Sequence, residues 1–273
     1  MSRDRLSWVG AGLDPDLAAR LHAAGVDPDG PFDAEDAWRR LRERHGRRAT
    51  LIDRYALEAR ARGVTPDALD PALLERLATD VLRESMPGVA WAEGSRRASE
   101  DPIEVVPWDP GWPSRYDEWR GRLARALGTA AVRIDHVGST SVPGLAAKPV
   151  IDVQVSVRDV QDEPSYVPAV EGVGLWLRMR EPIHRYFRPA EGRPRAIHVH
   201  VCTAGSGWER DHLLFRDYLR CHGAVASEYG RHKVALAERY RTDRVAYTEA
   251  KTCFILDALE VAERWAAATG WRV

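Results

Sequence analysis

The stretch that decides the fold is Ile134-Asp135-His136-Val137-Gly138-Ser139-Thr140-Ser141-Val142-Pro143-Gly144-Leu145-Ala146-Ala147-Lys148-Pro149-Val150-Ile151-Asp152-Val153-Gln154-Val155. A strand ends at Val137. Gly138 lets the backbone turn sharply and approach a ligand closely. Ser139, Thr140 and Ser141 then offer hydroxyls and adjacent amides suited to phosphate oxygens, and Lys148 can reach such an anion as a point charge. In the next strand Val150, Asp152, Gln154 and Ser156 share one face, and Ile151, Val153, Val155 and Val157 the other. One face is core, and the other carries an acid within reach of the loop. His136, directly before the loop, is placed to orient it by hydrogen bonding.

On either side of this stretch, strands and helices alternate from about residue 103 onward. Ile103, Val105 and Val106 read as a short strand, and Ser114 to Leu127 as a helix with Tyr116, Trp119, Leu123 and Leu127 on one side. Val132 to Val137 and Val150 to Val157 are strands. Ile183 to Arg188 and Ala196 to Cys202 read as a hairpin across Glu191-Gly192-Arg193-Pro194. His198 and His200 share one face of their strand, while Ile197, Val199 and Val201 face the core. Two histidines on one face, near an aspartate strand, are candidate ligands for a divalent metal or contacts for phosphate. From Trp208 the chain is helical, with Arg210, Arg216 and Arg220 at helical spacing.

The first 84 residues read differently. Leu17, Leu21 and Ala24 recur at helical spacing before Gly25. Asp33 caps a second helix through Trp38 and Leu41, a third runs from Thr50 to Ala61, and Asp70-Pro71 opens a fourth. Residues 85–101 are rich in small, polar and turn-forming types, which is linker chemistry. The sequence therefore predicts an α+β chain of two domains. Residues 1–84 form a small helical domain, and residues 102–273 a mixed-sheet α/β domain with C-terminal helices.

Composition narrows the function classes. Lys and Arg total 40 against 41 Asp and Glu, a formal net charge of -1, so an anion site has to be a local cluster. No apolar run approaches the roughly 18 residues of a membrane span, and no secretory leader is visible. Cys202, Cys221 and Cys253 show no CxxC spacing, which points to neither a zinc site nor a disulfide framework and makes a reducing, cytoplasmic location the expectation. Only three lysines occur, Lys148, Lys233 and Lys251, against an arginine background.

Residues 6 to 82 resemble the C-terminal domain of the TfoX competence regulators. The resemblance rests on Leu17-Ala18-Ala19-Arg20-Leu21-His22-Ala23-Ala24-Gly25-Val26, Ala37-Trp38-Arg39-Arg40-Leu41 and Tyr55-Ala56-Leu57-Glu58-Ala59. It implies a helix-hairpin-helix type fold and a nucleic-acid or protein-docking role. Asp14 and Asp16 follow the Gly10-Ala11-Gly12 loop and would repel phosphate. Arg39, Arg40, Arg42, Arg44, Arg47 and Arg48 are the better nucleic-acid candidates, or a solvated face laced by Asp36 and Glu43.

The larger domain resembles the GrpB family of the nucleotidyltransferase superfamily. The resemblance is carried by Val106-Pro107-Trp108-Asp109-Pro110-Gly111-Trp112-Pro113, the Gly138 loop, Arg185-Tyr186-Phe187, His198-Val199-His200-Val201, Phe215-Arg216-Asp217-Tyr218-Leu219-Arg220 and Tyr247-Thr248-Glu249-Ala250-Lys251. It implies a Gly-Ser loop that grips nucleotide phosphates, and a strand with two carboxylates at i and i+2 for divalent metal. Gly138, Ser139 and Asp152 match that plan, whereas Gln154 stands where the second acid is expected.

The expectation is then a nucleoside triphosphate held by Gly138, Ser139, Thr140, Ser141, Lys148, Arg185, Arg216 and Lys251. Mg²⁺ or Mn²⁺ would sit on Asp152, His198 and His200, with Asp152 and His200 catalytic and an unidentified acceptor receiving the nucleotidyl group. The other reading is a non-catalytic nucleotide-sensing or assembly module, docked through the N-terminal helices to nucleic acid or protein. Neither involves a membrane. The linker predicts that limited proteolysis cuts between about Glu84 and Asp101 and releases two folded pieces, as read by fragment mass and circular dichroism.

Overall fold

A computed structural model of the protein describes residues 13–31, 33–85, 90–91 and 102–273. The Gly10-Ala11-Gly12 loop and nearly all of the linker expected at 85–101 lie outside the described residues.

In the helical unit the expected caps are in place. The Asp14 carboxylate accepts from the backbone N–H of Asp16 at 2.8 Å to start α1 (Pro15–Ala23), with proline at the first helical position. Asp33 caps α2 (Ala34–His45), and Thr50 with Asp53 forms a capping box for α3 (Leu51–Ala61), followed by α4 (Pro71–Ser85). Leu17, Leu21, Trp38, Leu41, Leu51 and Leu57 are buried between them. Arg20 ties α1 to α3 through two bonds to the Asp53 carboxylate, at 2.7 and 2.9 Å. Of the arginines considered for nucleic acid, Arg39 pairs with Asp36 and Glu43, Arg40 with Asp36, and Arg42 bonds the Gly46 and Ala49 carbonyls. These three arginines form a laced helix face.

The second unit begins with β1 (Ala90–Trp91). Where the sequence suggests a strand at 103–106, the backbone makes one isolated bridge, Val106 to Ala147. Pro107 removes the next donor, and the Ile103 N–H is spent on the Arg241 carbonyl at 2.8 Å. Helix α5 (Trp112–Leu127) follows, then β2 (Ala131–Val137), β3 (Ile151–Val157), α6 (Val167–Gly172), β4 (Leu175–Glu181), β5 (His184–Pro189), β6 (Ile197–Thr203), α7 (Gly207–Cys221) and α8 (Gly223–Arg239). The sheet order is β1-β4-β5-β6-β3-β2. Among the described residues only the β3–β6 pair is parallel; the other strand pairings are antiparallel. One sheet face, with Val153, Val155, Phe187, Val199 and Val201, packs on Trp112, Leu123, Tyr166 and Val170 as the core. The other carries Asp152, Gln154, His198, His200 and Tyr186, the alternation the sequence indicates for β3 and β6.

Helices α9 (Arg244–Glu249) and α10 (Thr252–Thr269) complete the chain. The sequence reading placed all of 102–273 in one domain, but Asp243–Leu256 groups with the N-terminal helices, where α9 packs on α3 and the Cys253 thiol meets the Arg48 carbonyl at 3.5 Å. The helical unit is therefore discontinuous. A cut at 85–101 does not separate it whole, and a fragment 1–84 is expected to melt below the helical unit of the intact chain.

Phe187, 0 % exposed on the core face of β5, provides a direct test of the packing. Phe187→Ala should cost about 3–5 kcal/mol in urea unfolding, whereas Trp176→Ala, at a side chain 49 % exposed, should stay within about 0.5 kcal/mol.

Candidate metal and phosphate site

Parallel pairing of β3 with β6 sets Asp152 beside His198 and Gln154 beside His200. On the far side of β6, Tyr186 of β5 stands beside His200. Cross-strand partners share a face, so these side chains converge. The Asp152 Oδ1 accepts from His198 Nδ1 at 3.1 Å and lies 3.7 Å from His200 Nε2. Among the described residues, Asp152, His198 and His200 bring ligand atoms within 4.8 Å of one another. Burial works to raise the Asp152 carboxyl, but the bonds and charges of His198 and His200 outweigh it and hold the group well below the usual carboxylate range. His198 is lowered, first by burial, against the pull of Asp152.

A second layer fixes the His200 ring. The Glu181 Oε2 lies 3.2 Å from His184 Nδ1, and His184 Nε2 lies 3.0 Å from His200 Nδ1. Burial depresses His184 to about 4 in spite of Glu181, so its ring is neutral at pH 7. A carboxylate only accepts, so His184 carries its proton on Nδ1 and presents a lone pair at Nε2. His200 then donates from Nδ1 to His184, which turns its Nε2 toward the Asp152 Oδ1. The donor set of two imidazoles and one carboxylate fits a divalent ion, and an acid or carbonyl behind a ligating imidazole is the usual way its orientation is fixed. Trp208 of α7 stacks on His184 at 4.6 Å between ring centroids and covers this relay.

The Gly138 loop stands against the same carboxylate. Gly138 has φ 67°, a region L residues rarely adopt. A Cβ there would overlap the Asp152 carboxylate and come within 2.9 Å of the Asp152 Cβ. The loop is stitched from within. Thr140 Oγ1 donates to the Val150 carbonyl at 3.3 Å and accepts from His136 Nε2 at 3.0 Å, so His136 orients the loop. Ser141 Oγ donates to the Gly138 carbonyl at 2.6 Å. Of the three hydroxyls, Ser139's alone makes no such bond among the described residues, and the side chain is half-buried. Lys148 is half-buried too, and its charge acts on His198.

Three residues expected at the anion site are engaged by other groups. Arg185 opposes Val201, on the core face, and its buried guanidinium bonds Glu163, Gln161 and the Glu181 and His184 carbonyls. Its odd-numbered position in β5 turns it away from Tyr186. Arg216 reaches the rim of the loop, yet it is paired with Asp217 at 2.7 Å and bonds Asp135 and the His136 carbonyl. Lys251 belongs to the helical unit, where its ammonium lies 4.5 Å from the Tyr247 ring centroid. Glu181 and His184 are additional members of the site: Glu181 closes β4, a strand outside the elements read from the sequence, and His184 stands in the expected 183–188 strand. Gln154 is 0 % exposed with neither amide atom hydrogen-bonded.

This sheet, with its loop and polar face, defines a GrpB-type domain. The profile of the family described as GrpB protein matches residues 102–261, and the chain belongs to that family. It is 39 % identical over 159 residues to the UPF0157 protein BH1888 of Halalkalibacterium halodurans, covering 58 % of this chain and 81 % of that one. A dephospho-CoA kinase of Mycolicibacterium paratuberculosis is 30 % identical over 279 residues, 88 % of this chain and 67 % of the relative. That similarity extends beyond the stretch the family profile matches. The crystal structure of the conserved protein GrpB from Enterococcus faecalis superimposes with a TM-score of 0.52 at 31 % identity, covering 59 % of this chain and 99 % of that one.

If Gly138 is glycine because it must pass Asp152, Gly138→Ala should lower stability by about 1–3 kcal/mol. It should also shift the His198 and His200 ring resonances in NMR spectra. Unchanged melting and unchanged resonances would detach the loop from the cluster.

Proposed function

We propose that the protein binds a nucleoside triphosphate with a divalent metal at Asp152, His198 and His200, and transfers its nucleotidyl group to an acceptor. The observation that supports this reading is Gly138 held against Asp152, a carboxylate that His198 and His200 keep well below the usual range, with the half-buried Ser139 next in the loop. A divalent ion bound there would neutralise phosphate charge and acidify an acceptor hydroxyl. The two imidazoles favour a transition ion such as Mn²⁺ over Mg²⁺, which prefers oxygen donors. Lys148 adds positive charge on the same face, and Glu181 with His184 keeps His200 Nε2 turned toward Asp152.

The dephospho-CoA kinase similarity does not carry kinase chemistry to this chain. A P-loop kinase needs a Gly-Lys pair to cradle phosphates, and Lys148, Lys233 and Lys251 follow Ala, His and Ala. Gln154 favours a second reading, a nucleotide-sensing or assembly module. The fully buried amide supplies no second charge for a two-metal site. In that reading the TfoX-like helices of residues 6–82 dock the module to nucleic acid or protein.

Labelled triphosphates with Mn²⁺ test both. Calorimetry should show Mn²⁺-dependent binding that Asp152→Asn abolishes, and Ser139→Ala should weaken binding by about five-fold, the worth of one neutral hydrogen bond. Pyrophosphate release in the parent assigns the enzyme. Binding without release assigns the sensor, and Mn²⁺-dependent binding retained in Asp152→Asn removes the metal from Asp152.

A further inference from the structure

On the hairpin side of the cluster stand Arg178, Arg188 and Arg195, none of which has an ion pair among the described residues. The last β5–β6 pair is Phe187 with Val199. One step further along the same strands, Arg188 falls beside His198, in the cross-strand row that holds Asp152 and Val137. On its other side Arg188 opposes Trp176 of β4. Arg178 lies at the β4 irregularity between Leu177 and Met179, a kind of break that re-aims a side chain. Its Nη2 donates to the Pro189 carbonyl at 3.2 Å, while its Nε is fully buried with no partner. Arg195 enters from the segment just before β6. All three are half-buried, and among the described residues Arg188 and Arg195 make no side-chain hydrogen bond or ion pair.

Their neighbours elsewhere in this unit are matched: Arg180 and Arg185 share Glu163, and Arg210 pairs with Glu263. The arginines in question feel one another instead. Burial first, and then the charges of Arg195 and Arg178, draw Arg188 below its ordinary value, with Glu191 of the exposed hairpin connection opposing them. Tyr186, beside His200, is pushed up first by burial and then by Asp152, with the charges of Arg188, Arg195 and Arg178 opposing them. Like charges gathered in a half-buried place raise the energy of the protein unless an anion joins them. Planar guanidinium forks match phosphoryl oxygens in pairs.

We infer that Arg178, Arg188 and Arg195 form an anion subsite for a phosphoryl group, on the opposite side of Asp152 and His198 from the Gly138 loop. This rests on the reading of that cluster as the centre of the site, but not on nucleotide transfer. Strands β2 and β5 are three steps of about 4.8 Å apart, so the loop and the arginines hold different phosphoryl groups. The subsite takes the far end of a polyphosphate, or the phosphoryl group of a second substrate.

Inorganic pyrophosphate, titrated calorimetrically into the full chain in metal-free buffer, tests the inference. The parent should bind it, and Arg188→Gln combined with Arg195→Gln should weaken binding about ten-fold or more. Arg188→Lys should fall between, since it keeps the charge and loses the fork. Asp152→Asn should bind as well as the parent or better, because it removes a repulsive carboxylate. Circular dichroism melts within a few degrees of the parent identify the folded variants, and Arg188→Lys serves if the double variant does not fold. No binding by the parent, or equal binding by the arginine variants, overturns the subsite. Pyrophosphate binding that depends on Arg188 in a protein that ignores triphosphates keeps the subsite and defeats the nucleotide reading. Triphosphate and pyrophosphate binding undiminished in the double variant does the reverse.

Discussion

The parallel pairing of β3 with β6 is the constraint on which the site depends. It is the one parallel contact in the sheet among the described residues, and its register brings Asp152 to His198 and Gln154 to His200. A slip of one residue would carry Asp152 and both histidines to opposite faces and send a carboxylate into a core of Val153, Val155, Val199 and Val201. Burying that charge without a partner would cost several kcal/mol, so core packing and the polar cluster enforce the same register. Antiparallel β2 and β5 extend the arrangement to either side, with the Gly138 loop at one end of the row and Arg188 at the other.

Charge on this face is arranged unevenly. Asp152 is surrounded by the imidazoles of His198 and His200 and, further out, by Lys148 and the hairpin arginines. The carboxylates that are abundant in the composition are spent elsewhere: Glu163 on Arg180 and Arg185, Asp217 and Asp135 on Arg216, Glu209 on Ser156. A chain of net charge -1 thus gathers cationic side chains around Asp152 on this face. Such a place suits ligands that carry several negative charges, and it suits a metal bound together with them better than one bound alone.

How much of this was legible in the sequence depends on the range of the interaction. Helix caps and the alternation of β3 and β6 are local, and Asp14, Asp33 and Thr50 were readable because a cap acts within its own first turn. The convergence of Asp152 with His198 was readable because both strands alternate cleanly. Arg185 was misplaced because a motif names a residue without giving its face, and the β5 register turns it to the core. The alternation of Leu175, Leu177 and Met179 with Trp176, Arg178 and Arg180 is a local signal for β4, whereas the contact of Glu181 with His184 depends on the β4–β5 pairing and no local pattern shows it. The pairing of Arg216 with Asp135 spans 81 residues, and no local pattern announces it.

The discontinuity of the helical unit bears on how the chain is made. Residues 1–86 and 243–256 belong together, with the 156 residues from Pro87 to Thr242 between them. At a synthesis rate of about 5–20 residues per second, those intervening residues take about 8–30 s to emerge from a ribosome. Throughout that interval α3 lacks α9, the helix that packs on it. Helices α1 to α4 therefore wait for α9 while most of the sheet unit is made, and the last segment of that unit, Asp257–Val273, follows α9.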